Sequence, residues 1–107
     1  NHTYDKTNIF MIHPGGAGCE QYTSLANLLV DDFSCYGIDP YNIYNKNKID
    51  NLYELSEYYL SHIEQIMLQT NQEEYYLFGW SFGGKIALEI ACILEKRGCT
   101  KIKVYLL

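Results

Sequence analysis

The segment Tyr75-Tyr76-Leu77-Phe78-Gly79-Trp80-Ser81-Phe82-Gly83-Gly84 constrains this chain more than any other part of it. An apolar run leads into a G-x-S-x-G turn and the residues beyond it carry helical spacing, which is the strand, turn and helix context of a nucleophile elbow. A serine at the tip of so sharp a turn sits in a strained backbone conformation. Side chains two residues to either side of it would collide unless they are hydrogen atoms. Gly79 and Gly83 stand at those two positions. Gly84 is expected to let the following helix lie close to the strand, and that helix begins with backbone N–H groups directed at any oxyanion forming near Ser81. The competing reading is a glycine-rich turn that happens to hold a serine, and the flanking strand and helix weigh against it.

Strand and helix signals alternate along the rest of the chain. Ile9 to Ile12 is a short apolar run closed by His13-Pro14-Gly15-Gly16, a buried strand followed by a tight loop. Tyr22, Leu25, Ala26 and Leu29 recur at helical spacing, and Phe33 to Ile38 reads as a second strand stopped at Asp39-Pro40. Tyr41 to Ile49 is polar and loop-like. Asp50 is the expected N-cap of a long helix whose apolar face is Leu52, Leu55, Tyr59, Ile63 and Ile66. Tyr75 to Phe78 is the third strand. Ile86, Ile90, Ile93 and Leu94 mark a helix closed by Lys96-Arg97-Gly98, and Ile102 to Leu107 is the fourth strand. Apolar strands separated by amphipathic helices predict an α/β protein: a parallel sheet of about four strands, right-handed crossovers, and helices on both faces. The loops at the carboxyl ends of the strands then carry His13 to Gly18, Asp39 and Ser81 to one rim, where such sheets bind ligands.

With 107 residues, 48% of them hydrophobic, and a net charge of −5, the sequence reads as one soluble globular domain over residues 1–107. The acidic balance and the lack of a basic stripe argue against a nucleic-acid partner. The eleven tyrosines come without such a groove and are not read as stacking platforms. Cys19, Cys35, Cys92 and Cys99 include no C-x-x-C and no histidine at ligand spacing, so neither a metal nor a bound cofactor is expected. Cys35 and Cys92 lie in apolar segments and are expected to be buried thiols in a reducing compartment. No signal peptide and no 18-residue apolar run is present, and the expectation is a cytoplasmic chain without a membrane span.

A nucleophilic serine needs a base, an orienting acid and an oxyanion hole. The expected hole comprises the N–H of Phe82, next after the serine, and an N–H from the loop after the first strand, with Gly16 the first choice and Gly15 and Ala17 its neighbours. The base is harder to find among His2, His13 and His62. His13 stands on the correct rim but precedes the serine, whereas elbows of this type run serine, acid, histidine; its expected role is to shape the loop. Asp39 is read as a turn residue before Pro40.

The motifs FMIHPGGAG, YGIDP, YLFGWSFGGKIALEIA and VYLL, taken together, resemble the thioesterase domains of non-ribosomal peptide and polyketide synthetases, members of the α/β-hydrolase superfamily, from about Ile9 to Leu107. The resemblance implies that Ser81 takes an acyl or peptidyl chain from the phosphopantetheine thioester of a carrier protein, with Phe82 and Gly16 as oxyanion donors. In that family the acid follows the strand corresponding to Ile102 to Leu107, and the histidine comes later, beyond a helical lid. The resemblance therefore implies an N-terminal part of such a domain, nearly inactive alone, with its last strand uncovered at Val104 and Leu106 and prone to self-association. Substrate, and hydrolysis against macrocyclisation, stay open. Two rivals stand beside this reading: a non-catalytic docking domain for carrier or acyl proteins, and a nucleotide-binding module suggested by Gly16, Gly18 and Asp39, which lacks the third fingerprint glycine because Gln21 occupies its place.

Overall fold

The computed structural model describes residues 7–14, 19–29, 32–41 and 48–106. Four strands, β1 (Thr7–Ile12), β2 (Phe33–Ile38), β3 (Tyr75–Gly79) and β4 (Ile102–Leu106), form one sheet in the order β2-β1-β3-β4. Every neighbouring pair is parallel, with Phe10 facing both Tyr36 and Leu77 and Phe78 facing Tyr105. Among the described residues the strands are linked by α1 (Thr23–Leu29), entered through a 3-10 turn at Cys19–Tyr22, then by α2 (Leu52–Gln69) and α3 (Phe82–Lys96).

The strand order dictates where the helices lie. From β1 the chain moves one way to β2, then reverses past β1 to reach β3, and continues in that direction to β4. A right-handed crossover changes face when the direction of travel reverses. Accordingly α1 packs on one face of the sheet, where Leu25, Ala26 and Leu29 meet Ile9, Met11 and Phe78. Helices α2 and α3 share the other face, where Leu55, Leu60, Ile63, Ile86 and Ile90 close over Phe10, Ile12 and Leu77. The expected parallel sheet with helices on both faces is thus present.

Local details differ from expectation in four places. Asn51, not Asp50, caps α2: its Oδ1 accepts from the Glu54 N–H at 3.0 Å. The buried stripe of α2 is Leu55, Ser56, Tyr59, Leu60, Ile63 and Met67, which leaves Leu52 exposed and Ile66 half-buried, because the helix also turns a flank toward α3. Cys92 is exposed, since it falls outside the face formed by Ile86, Ile90, Ile93 and Leu94. Cys35 is half-buried, and none of the four cysteines forms a disulfide. Residues 42–47 of the polar segment and Leu107 of the last strand lie outside the described residues. On β4, Val104 is half-buried against the α2 and α3 side of the core, while Tyr105 and Leu106 are exposed. No helix among the described residues is long and apolar enough to cross a membrane.

A side chain completes the sheet where a strand does not. Pairing of β1 with β3 begins only at Phe10, and the buried Asn8 two residues earlier points its backbone to the same side. The Gln72 amide fills that rung: its Oε1 accepts from Asn8 N–H at 2.7 Å, and its Nε2 donates to Asn8 C=O at 3.1 Å and to Glu74 C=O at 2.7 Å. Asn8 Nδ2 donates in turn to Thr70 Oγ1 at 2.7 Å, tying β1 to the end of α2. Because buried backbone groups left without partners are costly, Gln72→Ala is expected to lower unfolding free energy by about 1–3 kcal/mol. It should also speed hydrogen exchange at the Asn8 amide; unchanged protection there would show that Gln72 does not make the rung.

Candidate active site

The reversal of strand order between β1 and β3 creates a crevice at their carboxyl ends, the position where open parallel sheets gather functional groups. Ser81 stands there, directly after β3, with φ 61° and ψ −124°. For a residue with a Cβ this is a strained conformation outside the ordinary left-handed well, of the kind that surrounding structure must enforce. The enforcing contacts are glycine contacts. A Cβ on Gly79 would lie 2.3 Å from the Gly83 carbonyl oxygen, and one on Gly83 would lie 2.5 Å from the Ile12 oxygen and 2.6 Å from that of His13. Gly79 thus allows the turn to close on itself, and Gly83 allows α3 to start against the end of β1. Gly84 is under a milder constraint, with the tip of the Leu106 side chain 3.3 Å away.

The first amides of α3 are mostly satisfied by the turn itself. Gly83 N–H donates to Trp80 C=O at 3.1 Å, and Gly84 and Lys85 N–H both donate to Ser81 C=O, at 2.9 and 3.4 Å. Phe82 N–H has no acceptor among the described residues, which leaves it open toward the rim beside Ser81. The Ser81 hydroxyl is likewise free of any hydrogen bond among them, and the residue is exposed. Trp80, 41% exposed, and Phe82, 36% exposed, flank it with apolar surface. Gly15, Gly16, Ala17 and Gly18 lie outside the described residues, so the expected second donor falls outside them too.

Two tyrosines that the helical pattern marked only as apolar organise this rim. Tyr22, 5% exposed, donates its hydroxyl to Ile12 C=O at 2.7 Å and accepts from Trp80 N–H at 3.1 Å, bridging the end of β1 to the elbow across the crevice. Its ring meets Phe78 edge to face at 5.1 Å. Tyr59 Oη accepts from Tyr41 N–H at 2.9 Å and lies 2.9 Å from His13 Nε2. Whichever partner carries the proton, this hydrogen bond occupies Nε2 and turns it toward α2 rather than Ser81. His13 therefore serves as a buried brace, and its backbone N–H donates to Ile38 C=O at 3.0 Å. His62 is exposed on α2. Asp39 acts as a turn residue, its Oδ1 accepting from Cys19 N–H at 3.0 Å where the chain re-enters after the loop. Among the described residues no cluster of histidine, cysteine or carboxylate side chains has the makings of a metal site.

A parallel sheet wound in this order, with a strained serine and an open helix-terminal amide at its switch point, defines a chain of the α/β-hydrolase fold. The family model described as "Thioesterase domain" matches residues 7–106, and the chain belongs to that family. N-(5-amino-5-carboxypentanoyl)-L-cysteinyl-D-valine synthase of Amycolatopsis lactamdurans is 31% identical over 90 residues, covering 84% of this chain and 2% of the synthase. The NocB thioesterase domain, solved as a covalent complex with a fluorophosphonate nocardicin G analog, is 30% identical with a TM-score of 0.70, covering 90% of this chain and 42% of that one. The RedJ thioesterase from the prodiginine pathway of Streptomyces coelicolor shares the fold at 20% identity and a TM-score of 0.76, over 94% of this chain and 40% of that one.

The glycine contacts make a contrast that mutagenesis can read. Gly79→Ala places a methyl group inside a backbone carbonyl contact and is expected to cost more than about 3 kcal/mol, whereas Gly84→Ala, which meets a movable leucine tip and the Gly79 carbonyl only at ordinary van der Waals distance, is expected to cost less than about 1 kcal/mol. Equal midpoints for the two in urea would contradict the close-approach account. The tyrosines yield a pH signature. Burial foremost raises the phenol pKa of Tyr22 and Tyr59 above the ordinary 10.0, against the opposing hydrogen bonds from Trp80 and Tyr41. The unfolded chain therefore ionises first as pH climbs, so their contribution is whole below pH 10.0 and is lost as pH rises through the higher folded values. Chemical denaturation at stepped pH is expected to show a shallower alkaline loss for Tyr22→Phe than for the parent chain.

Proposed function

We propose that Ser81 is the acyl-accepting nucleophile of a thioesterase that releases or edits acyl or peptidyl chains held as phosphopantetheine thioesters on a carrier protein. The observation that carries this reading is the open pair at the switch point: a hydroxyl held at a strained elbow beside the one early α3 amide that no described acceptor occupies. Ser81 Oγ attacks the thioester carbonyl, a C–O bond forms and the C–S bond breaks. The serine proton passes through a base to the departing thiolate, and water then releases the chain from the ester. Phe82 N–H supports the tetrahedral oxyanion, joined by an amide of the loop after β1 for which Gly16 is the choice. The exposed Trp80 and Phe82 offer the pantetheine arm or acyl chain an apolar bed.

His13 is buried with Nε2 engaged by Tyr59, and His62 lies out on α2, which argues against either as the base. The resemblance to synthetase thioesterase domains assigns the base and its orienting acid to polypeptide outside residues 1–107. A similar domain, NocB, forms a covalent complex with a fluorophosphonate, which supports using the same chemistry here. In a polypeptide that carries this chain within its whole thioesterase domain, a fluorophosphonate is expected to label Ser81 stoichiometrically by mass spectrometry, and Ser81→Ala to abolish labelling and lower thioester hydrolysis by about 10³-fold or more. Residues 1–107 alone are expected to be slower by a comparable factor. Hydrolysis by the short chain at the rate of the whole domain, or labelling at another residue, would overturn the assignment.

A further inference from the structure

A hollow of about 250 Å³ opens at the carboxyl end of β2, walled by Tyr41, Tyr58, Tyr59 and His62 and edged by Asp39. We propose that it is a subsite for a primary ammonium group, carried by a basic side chain or free amine of the acyl or peptidyl chain. Three observations point to that chemistry. The first is charge: Asp39 gives only Oδ1 to the Cys19 amide, and no cation among the described residues pairs with its other oxygen. The second is aromatic surface. Tyr58 meets Tyr41 at 4.6 Å and His62 at 4.8 Å, both edge to face, so the hollow is walled by a cluster of aromatic rings. A carboxylate beside such rings attracts an ammonium by its charge, adds the ring quadrupole wherever the ammonium meets a ring face, and repels a carboxylate or phosphate. The third is size and place. At about 30 Å³ for a water-sized group the hollow holds roughly eight, enough for a lysine-length chain. It is joined to the elbow through ring contacts, Tyr59 to His13 at 5.6 Å and His13 to Phe82 at 6.1 Å.

Its place in acyl transfer rests on the function proposed for Ser81, but ammonium binding does not need that chemistry, and the two fail separately. The test is titration of a polypeptide that carries this chain within its whole thioesterase domain with pentylammonium chloride, followed through the ring-proton NMR signals of Tyr41, Tyr58 and Tyr59. Saturable shifts confined to those rings and His62 are expected, with affinity at least about tenfold weaker for pentanol and for Asp39→Asn. The asparagine keeps an oxygen for the Cys19 amide, so the fold and melting temperature are expected to hold. Tyr58→Leu, at the exposed mouth, is expected to weaken binding severalfold, and Ser81→Ala to leave it unchanged whatever the fate of the nucleophile assignment. Non-saturable shifts, equal binding of pentanol, or full affinity in Asp39→Asn would each overturn the subsite.

Discussion

The contact of Gly83 with the carbonyl oxygens of Ile12 and His13 fixes the distance between the end of β1 and the start of α3 at bare backbone contact. Everything on the rim inherits that spacing. The turn above it must then fold tightly enough that Gly79 touches the Gly83 carbonyl, and the serine between them takes a dihedral pair that few side chains tolerate. Tyr22 spans the same gap from the other face of the sheet with one hydroxyl serving both a carbonyl and an amide. Two glycines pull the crevice shut from the α3 side, and a phenol locks it from the α1 side.

The sheet's reversal explains why these devices can coexist. Since α1 lies on one face and α2 with α3 on the other, the crevice between β1 and β3 is approached from both, and each face contributes its own brace: Tyr22 from the turn before α1, and Tyr59 through His13 from α2. Both braces are phenols buried at the rim. The exposed ion pairs of Arg97 with Glu57 and Glu64, at 2.7 and 3.4 Å, tie the end of α3 to the flank of α2.

What could be read from the sequence was what is local. The run Phe33 to Ile38 matches β2 to the residue, and the elbow glycines were legible because their demand arises within five residues. The N-cap moved by one, from Asp50 to Asn51, since both carry a suitable oxygen and only the helix geometry chooses between them. Cys92 was misplaced because an apolar neighbourhood in sequence says little about which side of a helix faces the core. The braces were not legible at all. A tyrosine at an apolar position of a helix shows a ring to bury, and the hydroxyl's partner, 58 residues away for Tyr22 and Trp80 and 46 for Tyr59 and His13, leaves no mark in the local pattern. The signal available was the general one that a buried phenol must find a partner.

The rung that Gln72 makes with Asn8 joins positions 64 residues apart in the chain. During synthesis β1 emerges first and meets β2 early, yet its other edge must wait for Gln72 and β3. At translation rates of 5–20 residues per second that wait is about 3–13 s. For those seconds β1, the most buried of the described strands in the folded protein, stands half-paired, exposing the edge that will later border the crevice at Ser81. The nascent chain thus passes through a stage in which holdase chaperones have a clear target.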